Sequence, residues 1–248
     1  MISVVIPVLN EIYSIENLLN HLVETQSEMK YVSEIIIVDG GSTDGTQRVI
    51  ETFLSGRAQS RPDKDNLSTS LEETVLLLDS KKGRAKQLNK GALEATNEIL
   101  YFLHADSFPP KNYDKLIFDE VHKGNLAGCF KMKFDNNHWW LRLASWFTHF
   151  RWRACRGGDQ SQFITKDLFE EIGGYNESFI IYEDNILINE LFKRKQFVVI
   201  QEWLITSARL YERIGIWKLQ YHFSTIYVKR WFGASADDIY NYYKKHIA

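Results

Sequence analysis

Short apolar runs and longer stretches with helical spacing alternate along the first 110 residues. The short runs, rich in β-branched residues, predict buried strands at residues 2–8, 35–38, 75–78 and 99–103. Between them, apolar residues three and four positions apart predict helices at 12–24, 46–54 and 83–95. This order is typical of parallel β-α-β units, in which helices cover both faces of the sheet, and we therefore expect an α/β fold.

The second half of the chain has a less regular pattern. Strands are predicted at residues 126–134 and 197–200, and helices at 166–172, 184–195 and 214–232. Four tryptophans lie among arginines in residues 138–153, and the helix at 214–232 is rich in aromatic residues. Residues 55–74 contain too few apolar side chains to offset the entropy cost of ordering them, which predicts a mobile surface insertion.

The composition narrows the class of protein. With 248 residues, 44% of them hydrophobic and 25% charged, the chain is typical of a globular protein. Its net charge of −2 argues against a general nucleic-acid binder, so no nucleic-acid partner is expected. The charge is uneven, since residues 1–110 contain 10 Lys and Arg against 16 Asp and Glu, whereas residues 111–248 contain 20 against 16.

Two features bear on the cellular compartment. The two cysteines, Cys129 and Cys155, are too few for a disulfide framework or a cysteine metal cluster, which predicts a reducing compartment. The first residues lack the basic segment of a signal peptide, and no apolar run approaches the ~18–20 residues that span a bilayer. We therefore expect a cytoplasmic protein, with a position at the inner face of the membrane as the alternative.

Polar residues follow all four predicted strands of the first half. They are Asn10 with Glu11, the segment 39–45, the segment 79–84, and His104 with Asp106. Ligands of open α/β sheets bind at the carboxyl ends of the strands. A single Asp at such a place often caps a helix, but the coincidence at four strand ends favours a ligand site.

Two acidic segments can be interpreted in more than one way. His104 and Asp106 are two positions apart on an extended segment, so both side chains can face one ligand, and they suit Mn²⁺ or Mg²⁺ carrying a diphosphate. On spacing alone the alternative is equally good: His104 packs at the strand end and Asp106 caps the following turn. Glu183 and Asp184 likewise fit a functional pair or two acidic residues that favour a helix start.

Two nucleotide-binding classes are excluded. The segment 40–45 lacks the second glycine of the G-x-G-x-x-G motif, because Ser42 stands in its place. The chain also contains no G-x-x-x-x-G-K-[ST] phosphate loop. Neither a dehydrogenase with that motif nor a P-loop kinase is expected.

Five segments together resemble the family-2 glycosyltransferases, which have the GT-A fold. They are residues 4–11, 36–46 and 83–92, the segment Leu103-His104-Ala105-Asp106, and Gly173-Gly174-Tyr175 followed by Glu183-Asp184. The chain is most similar to small stand-alone bacterial members called selenodomain-associated transferases, which share the His-Ala-Asp variant, the Gly-Asp-Gln turn and a Ser-Ala-Arg stretch. The resemblance spans roughly residues 2–213 and implies a three-layer α/β sandwich with a mostly parallel central sheet.

The resemblance also implies how the chain is divided. Residues 1–213 are expected to form the glycosyltransferase domain, with a nucleotide-binding half at 1–110 and an acceptor-binding half at 111–213. Residues 214–248 are then a C-terminal aromatic helical extension.

Individual roles follow from the same resemblance. Asp184 is implied as the general base, with Glu183 beside it, and Asp106 as a metal ligand at the D-x-D position, where His104 replaces the first Asp. The residues expected to bind the donor are Pro7, Asn10, Glu11, Asp39, Ser42, Gly83, Arg84, Ala85, Asp106 and Arg209. Those expected on the acceptor side are Gly158, Asp159, Gln160 and Trp152.

The implied activity is the inverting, metal-dependent transfer of one sugar from a UDP- or GDP-linked donor to an acceptor hydroxyl, with Mn²⁺ or Mg²⁺ as cofactor. Single transfer is favoured because the Q-x-x-R-W motif of processive relatives is absent. A sugar-phosphate nucleotidyltransferase and an inactive nucleotide-sugar binding module are the alternatives. The aromatic segments 139–152 and 217–232 fit core packing, a homodimer contact, or a peripheral membrane contact that would suit a lipid-linked acceptor. For segment 139–152 a further alternative is the lining of an acceptor cleft.

Overall fold

The computed structural model describes residues 1–59 and 74–247, with side chains at 1–55 and 74–247. Only the two ends of the insertion predicted at 55–74 lie within the described residues. Residues 55–59 continue a helix and Thr74 begins a strand, whereas residues 60–73 lie outside the described residues.

The described residues form one eight-stranded sheet with the order β3-β2-β1-β4-β7-β6-β8-β5. The strands are β1 (Ile2–Val8), β2 (Val32–Asp39), β3 (Thr74–Asp79), β4 (Ile99–Phe102), β5 (Ser107–Phe108), β6 (Ala127–Phe134), β7 (Gln162–Thr165) and β8 (Val198–Thr206). Strands β3, β2, β1 and β4 are parallel, as the first half of the sequence predicts. Strand β7 is antiparallel to both β4 and β6, and β8 is parallel to β6. The sheet is therefore mixed, with most strands running in one direction.

The described part of the chain contains ten α-helices, of which the last three follow the final strand. They are α1 (Ile15–Thr25), α2 (Thr46–Gln59), α3 (Arg84–Glu94), α4 (Tyr113–His122), α5 (Trp139–Phe147), α6 (Lys166–Glu171), α7 (Glu183–Lys193), α8 (Arg209–Ile214), α9 (Ile216–Trp231) and α10 (Ala236–His246). None of these helices within the described ranges is long and apolar enough to cross a bilayer.

Two hydrophobic cores lie on opposite faces of the sheet. Successive residues of a strand point to opposite faces, so Val4 and Ile6 of β1 pack with α1, α2 and α4, whereas Val5 packs with α3, α6 and α7. This arrangement explains why β1 is apolar throughout, and it gives three layers. The predicted three-layer α/β sandwich is confirmed.

A close contact fixes α3 against the sheet. A Cβ atom added to Gly91 of α3 would lie 2.3 Å from Cγ1 of Val5, in the middle of β1. Only glycine permits this approach, because any side chain at position 91 would occupy the same buried space as the side chain of Val5. The first turn of α3 is thereby held next to the ends of β1 and β2.

The C-terminal helices form a third, smaller core. Phe179, Leu219, Ile226, Ile239 and Ile247 are its buried members, contributed by α9, α10, the end of the chain and the segment before α7. The ring of Tyr227 on α9 lies 5.4 Å from the ring of Tyr182, the residue that precedes α7. The extension predicted at 214–248 thus packs beside the start of α7.

Candidate active site

The direction of the strands brings the polar segments to one edge of the sheet. Strands β1, β2, β4, β6 and β8 run the same way, so their carboxyl ends lie at that edge. Strand β7 runs the opposite way, so the turn Gly158–Gln160 that precedes it lies there too. Segments from both halves of the chain therefore meet at the place where α/β sheets bind ligands.

The loops after β1 and β2 are joined by hydrogen bonds. The Asn10 amide donates to Oγ of Ser42 at 2.9 Å, and the Thr43 amide donates to Oδ1 of Asn10 at 2.9 Å. Asn10 has a φ of 59°, a left-handed conformation that asparagine adopts more readily than most residues. Asn10 and Ser42, both predicted to bind the donor, thus form one platform, next to the half-buried Pro7 of β1.

Asp39 ends β2 and is completely buried. Its carboxylate accepts hydrogen bonds from the amides of Gly41 at 3.2 Å and Ser42 at 3.0 Å, and from Nε2 of Gln47 at 2.6 Å. These donors fix the carboxylate and the loop around it. Gln47 also donates to Oδ1 of Asp79 at 3.1 Å, and so links the ends of β2 and β3.

Gln87 is a site residue that the sequence analysis missed. Its buried amide donates to the carbonyl oxygens of Val8 and Val38, each at 2.8 Å, and so ties together the last residues of β1 and β2. The available signal was a neutral polar residue on the buried face of an amphipathic helix. Such a residue requires internal partners, because an unpaired buried amide is costly.

A groove of about 670 Å³ adjoins this platform at the end of β3. It lies beside the carboxylate cluster described below, not within it. Its lining residues are Asp79, Ser80, Lys81, Lys86, Lys90 and Glu177. Gln47, which contacts both Asp39 and Asp79, connects the groove to the loop after β2.

Arg209 joins two acidic residues at the end of β4. Its Nη1 lies 2.7 Å from Oε2 of Glu11, and its Nη2 lies 2.5 Å from Oε1 of Glu11 and 3.2 Å from Oδ2 of Asp106. Burial raises the pKa of Asp106, and the Arg209 guanidinium opposes this shift. The structure thus brings together three of the residues expected to bind the donor.

His104 lies two residues before Asp106 and is partly buried. Burial holds the pKa of this imidazole well below its ordinary value, and the nearby charge of Arg84 acts in the same direction. His104 is therefore neutral at pH 7, which is the form that binds metal ions.

The metal-ligating atoms near Asp106 suit a divalent cation that is held partly by the protein and partly by a bound substrate. Among the described residues, no group of three or more His, Cys, Asp and Glu side chains could hold a metal ion. Mg²⁺ and related ions are commonly held by one or two carboxylates together with substrate phosphates. Asp106, with a neutral His104 nearby, supplies the protein's share of such a site.

Arg84 lies between the donor-side residues and the predicted catalytic pair. It opens α3 after Gly83, whose φ of 136° favours glycine. Nη1 of Arg84 lies 3.3 Å from Oε1 of Glu183 and 3.8 Å from Oδ2 of Asp184. The neighbouring Ala85 is buried in the core instead of facing the cleft.

The two carboxylates at the start of α7 differ in access to solvent. Glu183 is completely buried and neither of its oxygens has a hydrogen-bond partner among the described residues, whereas Asp184 retains some exposure. Burial raises the pKa of both groups. The charge of Asp184 raises the pKa of Glu183 further, and Arg84 opposes both shifts. Only Asp184 of this pair can reach a ligand without a structural change.

Gly158 packs directly against the carboxylate of Asp184. A Cβ atom at this position would lie 2.0 Å from Oδ2 of Asp184, so any side chain would displace the carboxylate. The next residue, Asp159, is exposed to solvent, although many protein atoms lie around its carboxylate. Burial raises its pKa to about 6; Arg84 opposes this shift, and the charges of Asp106 and Asp184 add to it.

The other two residues expected on the acceptor side lie elsewhere. Gln160 is buried, and its side chain bonds to the Cys155 carbonyl at 2.6 Å and to Nη1 of Arg156 at 2.5 Å. It therefore stabilises the loop before β7. Trp152 is exposed and stacks on Phe150, with 4.7 Å between the ring centroids.

Comparison with known proteins identifies the family. Residues 3–178 match the family described as Glycosyl transferase family 2, so the chain belongs to that family. The predicted GT-A fold is also confirmed, because the chain resembles a mannosyltransferase from Pyrobaculum calidifontis, solved with GDP-Man and Mn²⁺, with a TM-score of 0.65. That match has 17% identity and covers 91% of this chain and 61% of the other.

Two curated relatives are similar over part of their length. Glycosyltransferase AglE of Haloferax volcanii is 32% identical over 45% of this chain and 32% of AglE. Undecaprenyl-phosphate 4-deoxy-4-formamido-L-arabinose transferase of Proteus mirabilis is 24% identical over 58% of this chain and 40% of that enzyme. The chain therefore spans less than half of either relative. The resemblance to selenodomain-associated transferases stays a prediction.

The contact between Gly158 and Asp184 leads to a first prediction. Gly158→Ala should lower sugar transfer by about 10–100-fold, because a displaced catalytic group loses alignment with its substrate. Affinity for nucleoside diphosphate, measured by calorimetry, should change little. Gly157→Ala is the matched control, since a Cβ atom there meets nothing within 4 Å. Equal activity of the two variants would contradict the proposed packing.

The raised pKa of Asp159 leads to a second prediction, about stability. Between the ordinary pKa of aspartate and about 6, the folded protein binds more protons than the unfolded chain, so its stability falls as the pH rises through this window. Asp159→Asn removes the cost of the charge. Solvent contact screens that cost, so we expect a melting temperature about 1–3 °C higher at pH 8 and a smaller gain at pH 5.

Thermal denaturation at the two pH values, without divalent cation, checks this prediction. Asp167→Asn, at an exposed position of α6, is the control and should show no such difference. If the melting temperature of Asp159→Asn at pH 8 is unchanged, the charge of Asp159 does not destabilise the folded protein.

Proposed function

We propose that this protein transfers one sugar from a nucleotide-diphosphate sugar to an acceptor hydroxyl, with inversion at the anomeric carbon. The observation that carries the proposal is the placement of Asp184. Its carboxylate is packed against Gly158 and Arg84, retains access to solvent, and lies at the sheet edge that also carries Asp106 and Arg209. This placement supports Asp184 as the base, on the same sheet edge as groups suited to a diphosphate.

The nucleoside part of the donor is assigned to the platform after β1 and β2. The hydrogen bonds among Asn10, Asp39 and Ser42 hold this platform rigid before a ligand arrives. The mannosyltransferase of similar fold was solved with GDP-Man. This supports a nucleotide sugar as donor, with UDP and GDP as the two candidate nucleotides.

The diphosphate is assigned to Arg209, Arg84 and a divalent cation held by Asp106 with His104. When bound, Mn²⁺ or Mg²⁺ would neutralise the charge of the leaving diphosphate. Arg209 offers a planar set of N–H donors suited to phosphate oxygens, and Glu11 holds that set in place through two parallel contacts. Glu11 is therefore a positioning residue for Arg209.

Asp184 acts as the general base. It accepts the proton of the acceptor hydroxyl while the oxygen forms a bond to the anomeric carbon and the bond from that carbon to the diphosphate breaks. Burial raises the pKa of Asp184, which makes it a stronger base than an ordinary aspartate. Because the oxygen attacks from the side opposite the diphosphate, one carboxylate suffices and the configuration inverts.

An acceptor carried on a lipid is the class we propose. The support is the P. mirabilis relative, whose name includes undecaprenyl phosphate. Gly158 and Asp159 border the position of the acceptor hydroxyl, since they face Asp184. Gln160 contributes by holding the loop, and Trp152 lies at the surface beyond it.

The metal assignment leads to a third prediction. Binding of UDP or GDP, measured by calorimetry, should require Mn²⁺ or Mg²⁺ and should be lost in Asp106→Ala, because that variant removes the carboxylate of the cation site. His104→Ala should weaken binding less. Asp119→Ala, at a surface ion pair of α4, is the control. Equal affinity with and without chelator would contradict a metal requirement.

The base assignment leads to a fourth prediction. Asp184→Asn keeps the shape of the side chain but removes the proton acceptor, so transfer should fall by about 10²–10⁴-fold with donor affinity retained. Glu183→Gln should lower transfer less, since Glu183 is buried behind Arg84. Glu190→Gln, on the surface of the same helix, should behave as wild type.

Transfer assays and the anomeric configuration of the product, measured by nuclear magnetic resonance, check these expectations. If Asp184 served only to favour the start of α7, asparagine would replace it and turnover would survive. Retention of the donor's configuration would contradict the inverting mechanism. Donor binding without transfer by the wild type would instead favour an inactive binding module.

A further inference from the structure

Helices α5 and α9 each expose an aromatic face. Residues spaced three and four positions apart share one side of a helix. On α5 these exposed residues are Trp139, Leu143, Trp146 and Phe147. On α9 they are Trp217, Tyr221, Val228 and Trp231, and Trp231 is 87% exposed. Neither face is covered by another part of the described chain.

The two faces meet at their first residues. The ring of Trp217 lies 5.7 Å from the ring of Trp139 and 5.1 Å from that of Trp140. Nε1 of Trp140 donates to Oε1 of Gln220 at 3.4 Å, which ties α5 to α9. The exposed residues of the two helices are thus joined at Trp139 and Trp217, and we call these eight residues the α5–α9 face.

The two chain segments that contain this surface carry only positive charge. Residues 136–158 and 213–236, which contain α5 and α9, include no Asp or Glu but eight Lys and Arg. Arg142 and Lys218 are exposed, and within the described residues neither takes part in an ion pair. Two of the acidic residues that border these ranges are held by hydrogen bonds: Asp135 accepts one from the Ala208 amide at 2.7 Å, and Glu212 accepts one from Asn136 at 2.8 Å. The aromatic surface is thus flanked by unpaired positive charge.

This surface is attached to the edge of the sheet that carries the candidate active site. Helix α5 follows the carboxyl end of β6, and α8 and α9 follow that of β8. Tyr227 of α9 also contacts Tyr182, directly before the catalytic pair. A body that bound to the α5–α9 face would lie close to the acceptor side of the cleft.

We infer that the α5–α9 face docks on an anionic lipid bilayer. Tryptophan and tyrosine favour the boundary between lipid and water, and basic side chains around them are attracted to anionic headgroups. A symmetric dimer through this face would instead place the same positive surface of two copies together, and like charges would oppose it. The charge of the surface therefore selects the lipid over a second copy. This binding does not depend on the proposed transfer reaction.

Flotation with vesicles tests the inference. The wild-type protein should float with vesicles that contain anionic phosphatidylglycerol in phosphatidylcholine, bind pure phosphatidylcholine vesicles much less, and be released by salt. Arg142→Glu with Lys218→Glu should weaken anionic binding by about tenfold or more, as should Trp217→Ser with Trp231→Ser. The controls are Lys111→Glu and Leu93→Ser, which change an exposed charge and an exposed apolar residue elsewhere.

Tryptophan fluorescence gives a second readout. Six of the seven tryptophans lie in segments 139–152 and 217–231, so brominated lipids should quench the emission of the bound protein. Thermal denaturation shows whether each variant is folded. Equal flotation of the charge-reversed and wild-type proteins would overturn the inference. So would absence of binding at low salt, or a wild-type dimer in sedimentation velocity that the Trp217→Ser, Trp231→Ser variant loses.

Discussion

Two adjacent carboxyl groups, Glu183 and Asp184, begin helix α7 largely out of contact with water, and a positive charge opposes the rise of both pKa values. Arg84 supplies it, at 3.3 Å from one carboxylate and 3.8 Å from the other. The position of Arg84 depends in turn on α3, which Gly91 allows to lie directly on β1. The base proposed for transfer is therefore held in place by packing in the middle of the sheet, far from the cleft.

The charges of the site are not balanced within the chain. Among the described residues, the carboxyl groups of Glu11, Asp106, Asp159, Glu183 and Asp184 lie near three arginines: Arg84, Arg209 and, for Asp184, Arg153. The pKa of four of these carboxyls is raised, by burial first and in part by mutual repulsion, which means that their ionisation lowers the stability of the fold. A divalent cation bound with a diphosphate would reduce the repulsion near Asp106, so donor binding and stability are coupled.

The α5–α9 face and the cleft share a structural origin. Strands β6 and β8 are parallel to the strands that carry the donor-side residues, so the helices after them emerge at the same edge. An acceptor held at a bilayer would then approach Asp184 from the side on which the protein rests. The direction of the strands thus places the proposed reaction site and the proposed membrane-binding surface at the same edge of the sheet.

The sequence by itself predicted the α/β fold and most elements of the first half, because burial periodicity is a local feature, and its motifs indicated the family. It also named Asp39, Asp106 and Asp184 as candidate site residues, a prediction that rests on the same motifs. Boundaries shifted slightly: α1 begins at Ile15, and β2 extends to Val32–Asp39. The sequence did not reveal the short strand β7, helices α4 and α10, the two hydrogen bonds of Gln87, or the contact of Gly158 with Asp184. Glu11 and Arg209 are 198 positions apart, and only the order and direction of the strands places them together. Such contacts depend on how distant segments pack, and no local pattern of polar and apolar residues records that.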